Sequence, residues 1–217
     1  IHAVIGPNGA GKTTYMDLIV NRIAPSSGKV FFYGNDITNK QPYDIANLGI
    51  CKCFQISKLF MQLTCLENIR IALIHRHGRT FDFLPKASDY LRDEVEAVLV
   101  SVGIGHLIDD TAAYLSYGDQ RRLEIAITLA MEPKLLMLDE PTAGVSRAEG
   151  YAIMDMVRGL VHEKKITVVF IEHDMDIIFN YATRISVMNQ GRLIATDTPE
   201  MIRQNEFVKE AYFGGKQ

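Results

Sequence analysis

Residues 6–13 form a glycine-rich segment whose residue types and spacing suit the binding of nucleotide phosphates. This phosphate loop reads Gly6-Pro7-Asn8-Gly9-Ala10-Gly11-Lys12-Thr13 and matches G-x-x-x-x-G-K-[ST], between an apolar run that predicts a strand and a periodic run that predicts a helix. Glycines let the backbone approach phosphate oxygens closely, and the helix N-terminus presents N–H groups to the anion. We therefore expect Lys12 to reach the β- and γ-phosphates, Thr13 to ligate Mg²⁺, and Thr14 to add a phosphate hydrogen bond.

A second group of reactive side chains follows the apolar run 135–138. Asp139 and Glu140 stand at its C-terminal end, and a strand that projects carboxylates beside a phosphate loop supplies the second half of a nucleotide hydrolase. We expect Asp139 to hold Mg²⁺ through water and Glu140 to act as general base on the attacking water. In the alternative interpretation, the two acids only stabilise the N-terminus of the next helix, where negative charge is favourable.

Apolar runs alternate with periodic runs along most of the chain and predict the elements that position these residues. Strands are predicted at residues 3–5, 30–33, 49–55, 134–138, 167–171, 185–188 and 193–195, a turn at 34–36, and helices at 11–23, 66–75, 91–102, 119–131, 147–163, 175–181, 199–203 and 206–212. This alternation favours an α/β fold with a largely parallel sheet covered on both faces and a β-rich N-terminal part. Residues from about 66 to 116 show no strand pattern, so we interpret them as a helical subdomain inserted in one α/β domain.

Further motifs carry a resemblance to a known family. The segment Leu115-Ser116-Tyr117-Gly118-Asp119-Gln120-Arg121-Arg122 resembles the signature motif of ABC-type ATPases, which separates them from other P-loop enzymes. Gln55 falls at the position of the family's Q-loop glutamine, His173 at that of its switch histidine, and residues 143–146 at that of its D-loop. With the phosphate loop and the acidic strand, these motifs follow the family order over nearly the whole chain.

The resemblance implies an ATPase that uses ATP and Mg²⁺ and works as a dimer. Two cassettes, identical or different, are expected to face each other head to tail, so that Ser116 and Gly118 of one contact the ATP held by the phosphate loop of the other. Gln55 is expected to approach Mg²⁺ as a ligand and to sense the helical insertion. His173 is expected to hydrogen-bond the γ-phosphate and to help position the water that Glu140 activates.

Some positions depart from the family pattern. The signature commonly has Gly-Gly where this chain has Tyr117-Gly118, and the D-loop commonly has aspartate where this chain has Ser146. The resemblance therefore gives no support for a cross-dimer contact at Ser146. The chain begins at Ile1, inside an apolar run and without methionine, so we expect one ABC cassette over residues 1–217 that is truncated at its N-terminus and lacks the family's adenine-stacking aromatic residue.

Two runs narrow the resemblance to importers. Residues 115–127 and 141–144 look most like the ATPase subunits of importers of branched-chain amino acids and of urea or short amides, and the tail 207–214 is similar to theirs. This likeness implies transmembrane permease subunits as partners, an extracytoplasmic binding protein as an indirect partner, and a peripheral place on the cytoplasmic face of the plasma (inner) membrane. The apolar residues at 60, 61 and 63 would form either a docking groove for a partner helix or part of the interior.

Composition and length exclude other classes and leave two alternatives open. The mean hydropathy of +0.03 and the lack of a run of about 18 apolar residues argue against a membrane-spanning protein. A net charge of −3 argues against nucleic acid as a partner. The odd number of cysteines, three, argues against a disulfide framework, and the single residue between Cys51 and Cys53 argues against a zinc pair. The open alternatives are a soluble ABC ATPase that acts on nucleic acid or ribosomes and a P-loop kinase of a small molecule.

Overall fold

A six-stranded sheet organises the part of the chain that the computed structural model describes, which is residues 1–53, 59–78, 91–206 and 208. In chain order the strands are β1 (His2–Ile5), β2 (Phe31–Phe32), β3 (Asn35–Asp36), β4 (Ile50–Cys53), β5 (Leu135–Asp139), β6 (Thr167–Ile171), β7 (Arg184–Asn189) and β8 (Arg192–Asp197). The sheet order is β4-β5-β6-β1-β7-β8, with every pair parallel except β7 and β8. The expected α/β fold with a largely parallel sheet is thus confirmed.

Helices connect these strands. They are α1 (Lys12–Ile19), α2 (Pro42–Asn47), α3 (Cys65–Arg76), α4 (Arg92–Ser101), α5 (Tyr117–Leu129), α6 (Arg147–Lys164), α7 (Met175–Tyr181) and α8 (Pro199–Gln204), with short 3-10 segments at Gly105–Leu107 and Ala112–Tyr114. None of the helices in the described ranges is long and apolar enough to cross a membrane.

The described elements differ from the sequence prediction in three main places. The helix predicted at 11–23 is too long, because α1 ends at Ile19. The turn predicted at 34–36 is wrong in part, because Asn35–Asp36 pairs with Phe31–Phe32 as a two-stranded antiparallel ribbon. Helix α2 escaped prediction because it has six residues and buries only Ile45, which is too little for a periodic pattern. The predicted helix at 206–212 lies largely outside the described residues.

Two apolar clusters cover the two faces of the sheet. Along β5, Leu136 and Leu138 belong to one cluster and Met137 to the other, as the two-residue period of a strand requires. The larger cluster receives side chains from α3 to α7, and the smaller one from α1 and α2. Burial on both faces explains why the strands read as continuous apolar runs, and it holds the carboxyl ends of β1, β5 and β6 rigidly in place.

Side-chain caps fix where the functional loops end and the helices begin. Ser116 caps α5 by accepting a hydrogen bond from the backbone N–H of Asp119. Ser146 and Glu149 form a capping box at the start of α6. Asp174 caps α7. Each cap satisfies backbone N–H groups that the helix itself leaves unpaired, so each loop ends at a defined residue.

Candidate functional site

The phosphate loop connects β1 to α1 and needs glycine at particular positions. A Cβ on Gly6 would lie 2.2 Å from the backbone oxygen of Met188, so no larger residue fits without moving the backbone. Gly11 precedes α1 in the left-handed conformation, with φ +95. The backbone N–H of Gly191 donates to the carbonyl oxygen of Ala10 at 2.9 Å, which ties the loop to the turn between β7 and β8.

Lys12 lies inside this loop. Its Nζ donates hydrogen bonds to the carbonyl oxygens of Gly6 at 2.7 Å and Pro7 at 3.2 Å. Loss of hydration lowers the pKa of Lys12, and the carboxylates of Glu140 and Asp139 oppose this shift. The ammonium group therefore sits where the sequence predicts a phosphate contact, within the field of both acidic residues.

Asp139 ends β5 as a buried carboxylate. Both of its oxygens are buried and accept no hydrogen bond from the described residues, although Lys52 Nζ lies 3.2 Å from Oδ2. A buried carboxylate with unused lone pairs suits a hard cation such as Mg²⁺. Thr13 offers an exposed hydroxyl in the first turn of α1. These residues thus fit the predicted metal, and Gln55, the third predicted ligand, lies outside the described residues.

Glu140 and His173 meet at the carboxyl edge of the sheet. His173 Nε2 lies 3.1 Å from Glu140 Oε1, and the backbone N–H of Glu140 donates to the carbonyl oxygen of Ile171 at 3.0 Å. Glu140 has a φ of +53, a backbone conformation that residues other than glycine seldom adopt. Such backbone strain clusters at functional sites, where the surrounding structure holds it in place.

Glu172 is a candidate functional residue that the sequence prediction missed. Its side chain is buried and accepts hydrogen bonds from Thr142 N at 2.8 Å, Thr142 Oγ1 at 2.6 Å and His173 N at 3.1 Å. The available signal was a carboxylate directly after an apolar strand and directly before His173. The sequence does not indicate that Thr142 is its partner, because that contact depends on β5 and β6 being neighbours in the sheet.

Lys52 is a second residue that the prediction missed. It lies in β4, and its Nζ is 3.0 Å from Asp17 Oδ1 of α1 and 3.2 Å from Asp139 Oδ2 of β5. A lysine within an otherwise apolar strand was the signal, because a buried ammonium group requires a counter-charge. The contact connects the helix that follows the phosphate loop to the acidic strand.

The signature segment begins α5, as expected. Ser116 Oγ also donates to Asp119 Oδ2 at 2.6 Å, and Gly118 is buried, with Glu149 Oε1 3.2 Å from the position of an added Cβ. The ring of Tyr117 lies against the D-loop, because a Cβ on Gly144 would be 2.8 Å from Tyr117 Cε1. No hydrogen bond between described residues joins this segment to the phosphate loop of the same chain.

Ser146, the departure in the D-loop, has a local role. Its hydroxyl donates to Glu149 Oε2 at 2.7 Å and accepts from the backbone N–H of Glu149 at 3.3 Å. Serine and aspartate are both good helix caps. The substitution therefore preserves the start of α6.

Comparison with known proteins decides the family. Residues 1–143 match the family model described as ABC transporter. The chain belongs to the ABC transporter family. Because this family is one of ATPases, the enzyme class expected from the signature motif is confirmed, and the small-molecule kinase alternative is excluded.

Relatives of this ABC transporter protein match it over nearly their full length. The high-affinity branched-chain amino acid transport ATP-binding protein BraF of Pseudomonas aeruginosa is 38% identical over 98% of this chain and 86% of its own length. LivG of Escherichia coli K12, which bears the same description, is 36% identical over 99% of this chain and 87% of its own. The ADP conformation of MJ1267, an ATP-binding cassette of an ABC transporter, superposes with a TM-score of 0.84 and 32% identity, covering 99% of this chain and 87% of that one.

Proposed function

We propose that this protein is the ATP-hydrolysing, energy-coupling subunit of a membrane importer of branched-chain amino acids. The observation that carries the hydrolytic role is the 3.1 Å contact between His173 Nε2 and Glu140 Oε1 at the sheet edge that also bears Asp139. The names of relatives at 36% and 38% identity support the substrate class. Both of these relatives are named for branched-chain amino acid transport and not for urea or short amides, the other substrates suggested by the resemblance.

The phosphate loop would bind the nucleotide through backbone N–H groups and Lys12. The glycines bring the backbone close to the phosphates, and the N-terminus of α1 adds partial positive charge. Lys12 would exchange its two carbonyl contacts for the β- and γ-phosphate oxygens. Thr13, Asp139 and Gln55 would hold Mg²⁺, which when bound neutralises charge that develops on the transferred phosphoryl group.

Glu140 and His173 would act on the attacking water. The Glu140 carboxylate would accept the proton of the water as it attacks the γ-phosphorus. His173 would hydrogen-bond a γ-phosphate oxygen and keep Glu140 oriented, because its Nε2 is already within hydrogen-bond distance of Oε1. The β–γ bridging oxygen then leaves with ADP, and inorganic phosphate carries the new P–O bond.

The proposed assembly contains a second cassette, identical or different, and two permease subunits. Ser116 and Gly118 at the N-terminus of α5 would contact ATP held by the other cassette, where N–H groups and the helix dipole favour an anion. Phe60 and Met61 are 56% and 37% exposed and are available to a permease helix. These two residues precede the helical subdomain, residues 66–116, which would move together with the bound permease helix.

The cellular setting follows from the transport role. Permease partners would place the protein peripherally on the cytoplasmic face of the inner membrane. An extracytoplasmic binding protein would act on it only indirectly, through the permeases. The net charge of −3 supports the absence of a nucleic-acid partner.

The variant Glu140→Gln tests the hydrolytic site. It should keep ATP affinity, accumulate an ATP-bound dimer and lose at least about a hundredfold in kcat, the usual contribution of a general base. Glu163→Gln is a matched control, because Glu163 is exposed on α6. Normal steady-state hydrolysis by Glu140→Gln would exclude Glu140 as the base.

Reconstitution tests the transport role. The chain is coexpressed with candidate permease subunits of a branched-chain amino acid importer from the same organism, and the complex is placed in vesicles with the corresponding binding protein. Leucine-loaded binding protein should stimulate ATP hydrolysis and drive leucine uptake. Stimulation by urea alone would overturn the substrate class, and stimulation by RNA or ribosomes without permease binding would favour the soluble alternative.

A further inference from the structure

Glu172 directly precedes His173 in the loop after β6, and its side chain contacts Thr142 in the loop that carries Glu140. We infer that Glu172 is a positioning residue for hydrolysis: its carboxylate holds both loops in the register in which His173 Nε2 meets Glu140 Oε1. This inference rests on the catalytic roles proposed above. Glu172 itself is directed toward Thr142 and the backbone, so it acts through its neighbours rather than on the nucleotide.

The two oxygens of this carboxylate are divided between the loops. Oε1 accepts both hydrogen bonds from Thr142, at 2.8 Å from N and 2.6 Å from Oγ1. Oε2 accepts from the backbone N–H of His173 at 3.1 Å. Since each oxygen serves a different loop, the rigid carboxylate sets the distance between them.

The bond to Thr142 also supports the strained backbone at Glu140. Glu140 has φ +53, and its own N–H is tied to β6 through Ile171 O at 3.0 Å. Two residues further on, Thr142 donates to Glu172, which follows β6, and this is the next hydrogen bond that holds the loop. A disfavoured backbone conformation persists only where the surroundings hold it on both sides.

Thr142 cannot easily find another position. It packs against α6, where an added Cβ on Gly150 would lie 3.2 Å from Thr142 Cβ. Glu172 is 4% exposed and joins no ion pair among the described residues, so its hydrogen bonds are what compensate its burial. The Glu172 carboxylate therefore connects the loops of Glu140 and His173, and Thr142 connects this contact to α6.

The variant Glu172→Gln separates the two functions of the carboxylate. The amide oxygen can still accept from Thr142, but the amide NH₂ cannot accept from the N–H of His173. We expect kcat to fall by up to about 100-fold, the loss that a misplacement of about 1 Å can cause, while the affinity for a fluorescent ATP analogue and the KM for ATP stay within about twofold. Glu163→Gln, which removes an exposed charge, should change neither.

A double variant distinguishes positioning from a general structural role. If Glu172 acts through His173, adding Glu172→Gln to His173→Ala should lower kcat by less than about a further twofold. Multiplicative losses in the double variant would overturn the inference, and so would normal kcat in Glu172→Gln. If Glu172→Gln does not fold, Thr142→Val is compared with Thr142→Ser, which keeps the hydroxyl that donates to Glu172. Because this bond supports the loop of Glu140, Thr142→Val should lower kcat with or without His173 and Thr142→Ser should not, and an unchanged kcat in Thr142→Val would overturn the inference.

The same measurements separate this inference from the proposed function. Slow hydrolysis by His173→Ala together with normal hydrolysis by Glu172→Gln overturns the positioning role alone. Full hydrolysis by His173→Ala overturns the role of His173 and the inference with it. Denaturant unfolding of each variant shows whether a loss of kcat reflects a loss of folded protein.

Discussion

Replacing Lys52 by methionine tests the buried charges that join β4, α1 and β5. The side chain of Lys52 is 3% exposed, and those of Asp17 and Asp139 are 13% and 2% exposed. Methionine keeps much of the length of lysine and removes its charge. The two carboxylates would then lie near each other without the ammonium group. Arg22, whose side chain is 56% exposed and lies 3.9 Å from Asp17, is a poor replacement for that buried charge.

The expected loss of stability is large. Breaking a buried ion pair by removing one partner costs about 3–5 kcal/mol, because the remaining charge has lost its hydration without compensation. Whole domains have unfolding free energies of only about 5–15 kcal/mol, so this is a substantial share. For a chain of 150–250 residues, such a loss corresponds to a decrease in Tm of about 6–20 °C.

Urea unfolding at neutral pH measures the effect on Lys52→Met, Asp17→Asn and the double variant. The double variant should lose less than the sum of the single losses, by at least about 1 kcal/mol, because no Asp17 charge remains to be stranded. Lys52→Arg, which keeps the charge, is the control and should lose less than Lys52→Met. A loss below about 1 kcal/mol in Lys52→Met, or strictly additive losses, would refute the reasoning.

Three further predictions concern single positions. Gly6→Ala should prevent nucleotide binding and lower stability, because the new Cβ would lie 2.2 Å from the oxygen of Met188. Ser146→Ala should lower the unfolding free energy by about 1 kcal/mol through loss of the α6 cap, whereas Ser146→Asn, which keeps a cap acceptor and an N–H donor for Glu149, should lose less. Burial raises the pKa of the Cys53 thiol to about 12, so alkylation at pH 8 should be at least about a thousandfold slower in the folded than in the unfolded protein.

Each of these predictions has a direct measurement. Fluorescent-nucleotide titration tests Gly6→Ala, and Gly159→Ala is its control, because an added Cβ at Gly159 meets nothing within 4 Å. Wild-type affinity in Gly6→Ala would contradict the predicted clash. Chemical unfolding tests the Ser146 pair, and equal stability of the alanine and asparagine variants would speak against the cap. Mass spectrometry after timed alkylation tests Cys53, where equal rates in the folded and unfolded states would show an accessible thiolate.

Most elements of the fold could be predicted because the chain's local patterns are strong. Continuous apolar runs marked β1, β5, β6 and β7, and periodic runs marked the longer helices. Short elements were missed, since α2 and β3 contain too few residues to show a period. The order of the strands was beyond such patterns, because it depends on which apolar faces pack together.

The residues of the phosphate loop and of the acidic pair were enough to predict their chemistry. Those residues are contiguous, and the strand or helix beside each segment sets its local geometry. The side chains around these residues could not be predicted without the fold: Lys52 contacts Asp139, and Glu172 contacts Thr142 and the backbone of His173. Such contacts join residues that are far apart in the chain, and they arise only when the parallel sheet brings the carboxyl ends of its strands to one edge.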